Sequence, residues 1–341
     1  MIPPLIRENV NLKAYNSFQV EAGARYLADV VHPGQLKDLL CHGSFRDMDK
    51  LILGGGSNIL FRNEFNGLVI KISIPGIEPV REDEDHIWIK AGAGVDWHSF
   101  VLHCLQHNYA GLENLSLIPG SVGASPIQNI GAYGAELDQV FYQLEGLDIE
   151  SGEFSRFDKP DCGFGYRDSV FKKELKGRFI ITSVQVRLHK KARLNLSYGA
   201  ISDTLDAMKI KNPTIRDVSE AVCVIRRSKL PDPSELGNSG SFFKNPVVDA
   251  SVLESLKKEH PDMPYYRLSD QRVKIPAGWL IERCGWKGKT RGKTGIHKKQ
   301  ALVIVNYGGA TGREIYDLAM LVKQDVCREF GIPLMPEVNI V

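Results

Sequence analysis

At 341 residues the chain exceeds one typical domain, and its length predicts two or three. Its hydrophobic content of 43%, charged content of 25% and net charge of +2 are those of a soluble globular protein, so neither nucleic acid nor an anionic membrane is demanded as partner. The start M-I-P-P-L-I-R-E-N has no basic region followed by a long apolar core, and no later window approaches the ~18 apolar residues of a membrane span, so a cytoplasmic protein is expected.

A strand-like piece over 26–31 is followed by a short helix ending near Cys41 and by an apolar strand, Leu51, Ile52 and Leu53, an alternation that suggests a small α/β unit. That strand runs straight into Gly54, Gly55 and Gly56. Three glycines let a backbone turn through positive φ and bring bare N–H groups within reach of a ligand, and such a row makes a nest for an anion, above all a pyrophosphate. Ser57 and Asn58 add side-chain donors just beyond. The alternative is an ordinary glycine turn between two strands. A P-loop is excluded, because no Lys follows Gly56.

A second unit begins with strands over 68–72 and 86–90 and a helix with Asp96 as N-cap, its inward face formed by Trp97, Phe100, Val101, Cys104 and Leu105. Gly92-Ala93-Gly94 starts like a dinucleotide fingerprint but lacks the third Gly needed where the helix packs. The stretch I-P-G-S-V-G-A-S-P-I-Q-N-I-G-A-Y-G over 118–134 has neither strand nor helix period. It holds four glycines and no charge, too apolar for a flexible linker, and pairs with Gly54 to Gly56 as one candidate binding site. An alternating strand over 179–188 closes the unit. From Pro213 a helix turns Val218, Ala221, Val222 and Ile225 inward and is stopped by the prolines of L-P-D-P, which mark a boundary. The third unit has helices beginning near Asp249 and Ala277 and a final helix with a Thr311–Glu314 capping box, inward Ile315, Leu318, Val322 and Val326, and Gly331 as its stop. The expected divisions are 1–67, 68–230 and 231–341.

Six cysteines (Cys41, Cys104, Cys162, Cys223, Cys284, Cys327) are scattered without C-x-x-C, which reads as free thiols in a reducing compartment and argues against zinc, clusters and disulfides. His103 and His107 share a helix face, but His98 lies on the other side and no acidic or Cys partner is nearby, so no metal is expected. The basic run over 287–299 has no interleaved aromatics and reads as a solvated loop beside the active site rather than a nucleic-acid surface.

G-G-G-S-N (54–58) and the 118–134 stretch are followed by G-Y-R-D-S-V-F-K (165–172), S-K-L-P-D-P (228–233), G-S-F-F-K-N-P (240–246), A-G-W-L-I-E (277–282), H-K-K-Q-A-L-V (297–303) and M-P-E-V (335–338). In order and spacing this set resembles the UDP-N-acetylenolpyruvoylglucosamine reductases, flavoenzymes of peptidoglycan precursor synthesis. L-S-Y-G-A around Tyr198 is similar to the long form, in which a loop with a substrate-binding Tyr closes over the nucleotide. The resemblance implies an α+β chain whose first two units form a vanillyl-alcohol-oxidase (PCMH)-type FAD-binding region, and whose third binds substrate with the C-terminal strand returning to the active site. It implies non-covalent FAD on Gly54, Gly55, Gly56, Ser57, Asn58, Gly120, Ser121, Gly123, Ala124, Ser125, Gln128, Asn129, Gly131, Ala132 and Tyr133. NADPH is the implied co-substrate, a UDP-sugar the substrate, and the chain a monomer. Ala124 departs from relatives with a second hydroxyl there, which leaves backbone and Ser125 to contact the flavin edge.

Reducing an enolpyruvyl ether delivers hydride to the terminal vinyl carbon and leaves an enolate that must be stabilised and protonated. Arg167 offers a permanently charged planar fork; its alternative is an ion pair, for instance with Asp168. Glu337 lies in an apolar strand over 335–341, where an unpaired carboxylate is costly unless it faces a polar cavity; the alternative is an edge-strand charge. Ser241 is the sole side-chain donor on its segment, the alternative being a buried serine bonded to backbone. By resemblance Ser241 is the proton donor, with Arg167 and Glu337 polarising and stabilising. Tyr198, Lys229, Asn245 and Gln300, with Lys244 the weakest candidate, are the implied nucleotide contacts. Two other classes stay open: an oxidase of the same fold, which would not need Ser241, Lys229 and Gln300 together, and a silent nucleotide binder, which would be expected to have lost Arg167, Ser241 or Glu337.

Overall fold

The computed structural model describes residues 5–341. They gather into two compact units: residues up to Val10 with 24–55 and 66–228 form one, and 11–23, 56–65 and 229–341 form the other.

The first unit carries two sheets. One has four strands in the order Leu5–Asn11, Gly23–Val30, Phe65–Ile72, Lys50–Leu53, the last two parallel with Leu51 opposite Val69. Helix Pro33–Cys41 lays Leu36 and Leu39 against Ala28, Val30, Leu68 and Ile70 of this sheet. The other sheet is antiparallel, in the order Phe154–Asp158, Phe141–Asp148, Phe179–His189, His86–Gly92, Ile77–Glu82. Helix Trp97–Gln106 packs here through Trp97, Phe100, Val101, Cys104 and Leu105, as its spacing predicts, and Asp96 Oδ1 accepts the Ser99 N–H at 2.8 Å. An N-cap of this kind is worth about 1 kcal/mol.

Strand Phe179–His189 departs from the alternation read in the sequence, being buried without interruption from Ile180 to Val186. It is the central strand of five, covered on both faces, where alternation is not required. Its polar members are satisfied by the neighbouring strand: Gln143 donates to Gln185, and Thr182 and Ser183 donate to Glu145. Helices Gly199–Ala207 and Ile215–Lys229 form a small core of Ile201, Leu205, Val218, Val222 and Ile225, against which Tyr133, Leu194 and Leu196 pack. The second helix ends at Lys229, just before the prolines expected to stop it.

In the second unit Gly237–Ser241 heads a four-stranded sheet continuing with Val303–Asn306, Thr294–Ile296 and Thr290–Arg291. Val247–Asp249, Arg272–Lys274 and Tyr266–Arg267 form a smaller sheet, and helices Ala250–Glu259, Ala277–Arg283 and Gly312–Phe330 surround a core containing Phe18, Phe242, Phe243, Leu280, Ile315, Leu318 and Val322. The Thr311–Glu314 capping box is formed in both directions, and Gly331 ends the helix at φ 66°. Part of the basic run forms a hairpin of Thr290–Arg291, which is exposed, and Thr294–Ile296, which is buried, with Lys287 paired to Glu282 at 2.9 Å. The strand expected over 335–341 shrinks to Asn339–Ile340, parallel to Ile59–Leu60. Residues ahead of it are held instead by isolated bonds to the segment after Ser241.

Among the described residues no helix is long and apolar enough to cross a membrane, and no cluster of His, Cys, Asp and Glu stands ready for a metal.

Candidate functional site

Gly54 and Gly55 follow directly from strand Lys50–Leu53, and the turn 120–124 of the same unit lies against them. A Cβ built on Gly54 would stand 2.5 Å from Ser121 Oγ, and one on Gly55 would stand 2.8 Å from Gly120 Cα. Glycine is required at these two positions by close approach. Positive φ, expected at all three glycines, occurs only at Gly56 (66°), whose Cβ would run into the carbonyl of Tyr15 in the second unit. Ser121 is buried and its hydroxyl has no hydrogen-bond partner, an unusual cost unless a ligand atom completes it.

The stretch 118–134, read as having neither strand nor helix period, contains the short 3-10 turn Val122–Ala124 and the two-residue strand Gly131–Ala132 and is closely tied down. Gly120 O accepts from Trp97 N, Val122 N donates to Val95 O and Gly123 N to Ala93 O, all at 2.8–2.9 Å. The glycines at 92 and 94, which mimic a dinucleotide motif in sequence, instead let the backbone pass against residues 73–75. Asn129, held at φ 42°, donates to Glu136 and to Gly165 O and accepts from Asp138 N, so its side chain is committed to the protein. Ser125 donates its hydroxyl hydrogen to Val122 O at 2.6 Å, which leaves the oxygen lone pairs as its remaining capacity.

Segment 165–169 is stitched to this stretch three times: Asn129 to Gly165 O, Ser169 Oγ to Ile127 O at 2.7 Å, and Arg167 Nη2 to Gly131 O at 2.7 Å. Arg167 sits at φ 53°, a left-handed backbone uncommon for a side chain this large, and such strain clusters at functional sites. The ion pair considered with Asp168 does not form; Asp168 pairs with Lys173 at 2.5 Å. Tyr198 is 39% exposed and meets the ring of Tyr133 edge-on at 5.2 Å.

The second unit assembles another group. Ser241 closes strand Gly237–Ser241, opposite Val303. The Phe242 carbonyl accepts from Glu337 N at 2.8 Å, which draws Glu337 alongside Ser241, and Asn58 Nδ2 donates to Glu337 O at 3.3 Å. Lys244 N donates to Met335 O, continuing the pairing. Ser241 is half-buried and its hydroxyl makes no hydrogen bond among the described residues, so the backbone-bonded alternative does not hold. Asn245 Oδ1 accepts from Ala277 N at 2.9 Å at the start of helix Ala277–Arg283, and Gln300 Oε1 lies over Gly278 of the same turn. Lys229 is exposed at the end of its helix.

A family model described as UDP-N-acetylenolpyruvoylglucosamine reductase, C-terminal domain, matches residues 232–341, and an FAD binding domain model matches 24–157. The chain is 49% identical over 336 residues to the UDP-N-acetylenolpyruvoylglucosamine reductase of Amoebophilus asiaticus, spanning 98% of this chain and 99% of that one. This chain belongs to the UDP-N-acetylenolpyruvoylglucosamine reductase family. The reductase of Flavobacterium johnsoniae is 48% identical over 337 residues, with 98% and 99% of the two chains covered. The crystal structure of the Thermus caldophilus reductase shares the fold, with a TM-score of 0.67 at 24% identity over 98% of this chain and 99% of that one.

The protein is thus an FAD-binding oxidoreductase of peptidoglycan synthesis, with a PCMH-type FAD region and the C-terminal domain of the reductase family. The residues fit that cofactor. Gly54 and Gly55 leave no room for side chains, and the buried Ser121 hydroxyl lacks a partner among the described residues of the matched FAD domain. Two residues of the reductase's turn escape sequence reading. His98 Nδ1 accepts Leu117 N–H at 3.0 Å and Arg226 Nε donates to Leu117 O at 3.1 Å, gripping a residue at φ 57° where the turn begins. Burial, with Arg227 and Arg226 nearby, holds the His98 pKa below its ordinary value and keeps the ring the neutral acceptor this bond needs. Tyr133 is pushed the other way by burial, opposed by Arg226, which is hydrogen-bonded to it. No local pattern announces either residue, since both reach Leu117 from helices distant in sequence.

Proposed function

We propose that the enzyme reduces UDP-N-acetyl-3-O-(1-carboxyvinyl)glucosamine to UDP-N-acetylmuramate with NADPH, as a cytoplasmic monomer that uses neither nucleic acid nor membrane. In this reading 1–67 and 68–230 hold non-covalent FAD and 231–341 the UDP-sugar. Bound FAD supplies the chemistry of hydride transfer, from NADPH to the terminal vinyl carbon. Gly54 to Asn58 bind it through backbone N–H groups, and the turn from Gly120 to Tyr133 lies against it, with Ser121 contributing its buried hydroxyl.

Hydride addition leaves negative charge delocalised beside the substrate carboxylate. Arg167 stabilises that charge with a guanidinium that cannot lose its proton at working pH. Ser241 gives its hydroxyl proton to the adjacent carbon, completing the C–H bond, and recovers a proton from solvent. Glu337 polarises that hydroxyl and orders the intermediate. Tyr198 and Lys229 take the diphosphate, and Asn245 and Gln300 the uridine end. The observation that carries this reading is Ser241: a half-buried hydroxyl on a fixed backbone, without a hydrogen-bond partner among the described residues, next to the segment carrying Glu337.

The test begins with colour. Purified protein is expected to be yellow, to bleach anaerobically with NADPH, and to recover its flavin absorbance on addition of the enolpyruvyl substrate. Bleaching without recovery would remove the substrate assignment, and absence of bleaching would remove NADPH.

A further inference from the structure

Asn114 lies in the short 3-10 turn Glu113–Leu115 and is only 3% exposed. The turn is anchored on several sides: Trp97 Nε1 donates to Leu115 O at 2.9 Å, Gly111 N donates to the Glu113 carboxylate at 2.7 Å, and Ser116 Oγ donates to Glu113 O at 2.7 Å. From this platform the two hydrogens of one side-chain amide reach two separate segments. Asn114 Nδ2 donates at 2.9 Å to Tyr133 O and at 2.9 Å to Asn195 O.

Tyr133 and Gly134 both have left-handed backbones, φ 51° and 81°. Each of their carbonyls is taken by an asparagine: Tyr133 O by Asn114, and Gly134 O by Asn195 Nδ2 at 3.0 Å. Asn195 in turn accepts at Oδ1 from Ser197 N and Ser197 Oγ, the turn that presents Tyr198. The Tyr198 ring closes the circuit on Tyr133, and Leu194 and Leu196 pack into the helical core below. A strained turn and an exposed aromatic are thereby held in one frame by a buried amide that bonds to backbone carbonyls.

We propose that Asn114 is a positioning residue for nucleotide recognition, locking the Tyr198 segment onto the cofactor turn at Tyr133 and Gly134. This rests on the reading that Tyr198 binds the UDP-sugar. Leu at position 114 keeps the volume and removes both donors, while Asp keeps the shape and faces two carbonyls with acceptors.

The experiment is steady-state kinetics of the holoenzyme with flavin content measured alongside. Asn114→Leu should raise KM for the UDP-sugar roughly tenfold or more, the scale of two lost neutral hydrogen bonds, with KM for NADPH and flavin content near wild type. Asn114→Asp should raise it further, and serves if the Leu variant does not fold. In Asn114→Leu/Tyr198→Ala, KM should be that of Tyr198→Ala alone, because Asn114 acts through Tyr198. Hydrogen exchange at residues 194–198 should accelerate in both Asn114 variants. Unchanged KM and exchange, additive effects in the double variant, or equal rises for both substrates with falling flavin content would each overturn the proposal. If Tyr198→Ala itself leaves KM unchanged, the substrate role of Tyr198 falls and Asn114's part in the reaction with it; faster exchange at 194–198 would then mark that failure as one of the reading, not of the clamp.

Discussion

In the turn 117–134 side chains hold the backbone: His98 and Arg226 grip Leu117, Ser125 binds Val122, Asn129 binds Asp138 and Gly165, and Asn114 binds Tyr133. In the segment 237–245 of the other unit the backbone is held chiefly through the ladder to Val303–Asn306 and the bonds of Phe242 and Lys244 to 335–337, with Asn238 and Asn245 adding side-chain bonds, and the Ser241 hydroxyl has no partner among the described residues. In the proposed function the first arrangement is a receptor for the cofactor, so changes there should cost affinity. The second carries the proposed proton donor on a rigid mount, so changes at its tip should cost rate while structure survives.

The largest expected effect is on the reagent side. Ser241→Ala should slow reoxidation of reduced flavin by the enolpyruvyl substrate by ~10² to ~10⁴-fold, with flavin reduction by NADPH and thermal stability nearly unchanged. Anaerobic stopped-flow resolves the two halves; equal slowing of both would erase the contrast between the regions. Ser241→Cys should recover part of the rate.

On the receptor side, Gly55→Val forces a branched side chain against Gly120, where a Cβ alone stands at 2.8 Å. Overpacking of this kind costs about 1–3 kcal/mol, so FAD affinity should fall roughly ten- to hundredfold, measured by flavin retention on gel filtration and titration of apoprotein. Full retention would show that the close approach of 55 and 120 does not shape the cofactor site.

Removing the Tyr198 ring or the Lys229 charge should raise KM for the UDP-sugar about tenfold, and change KM for NADPH much less. Equal effects on both substrates would mean that these residues belong to the framework.

The smallest effect sharpens the receptor description. His98 must be neutral to accept Leu117 N–H, and its folded pKa lies below the ordinary 6.5. The unfolded chain therefore binds the proton more readily, so the stabilising contribution is complete above about pH 6.5 and is lost as pH falls toward the lower folded value. Asn at position 98 retains an acceptor that does not titrate. Melting curves at pH 7 and pH 5 should show a smaller acid-induced drop for His98→Asn than for wild type; equal drops would remove His98 from the grip on the turn.

Much of the fold was legible because its signals are local. The inward face of helix Trp97–Gln106 followed from spacing, and glycine-rich segments marked where backbones approach. The strand Phe179–His189 was misread because burial on both faces is a property of its neighbours, and the C-terminal strand was drawn too long because apolar residues there are held by single bonds rather than a ladder. Within the candidate site, the hydrogen bonds of Asn129 to Glu136, Gly165 and Asp138 and of Ser125 to Val122 were not legible, because their partners are set by the folded turn.

The amino-acid sequence by itself determined the family, the helix starts at Asp96 and Thr311, the stop at Gly331 and the glycines where backbones approach. A cap closes within three residues and a glycine acts through its own missing side chain, so each is set by its immediate neighbours. Tertiary structure alone decided which polar groups hold the frame and which are left for chemistry. Asn114 meets Asn195 across 81 positions and Asn58 meets Glu337 across 279, and a hydrogen bond satisfied by so distant a carbonyl leaves no trace in the residues on either side of it.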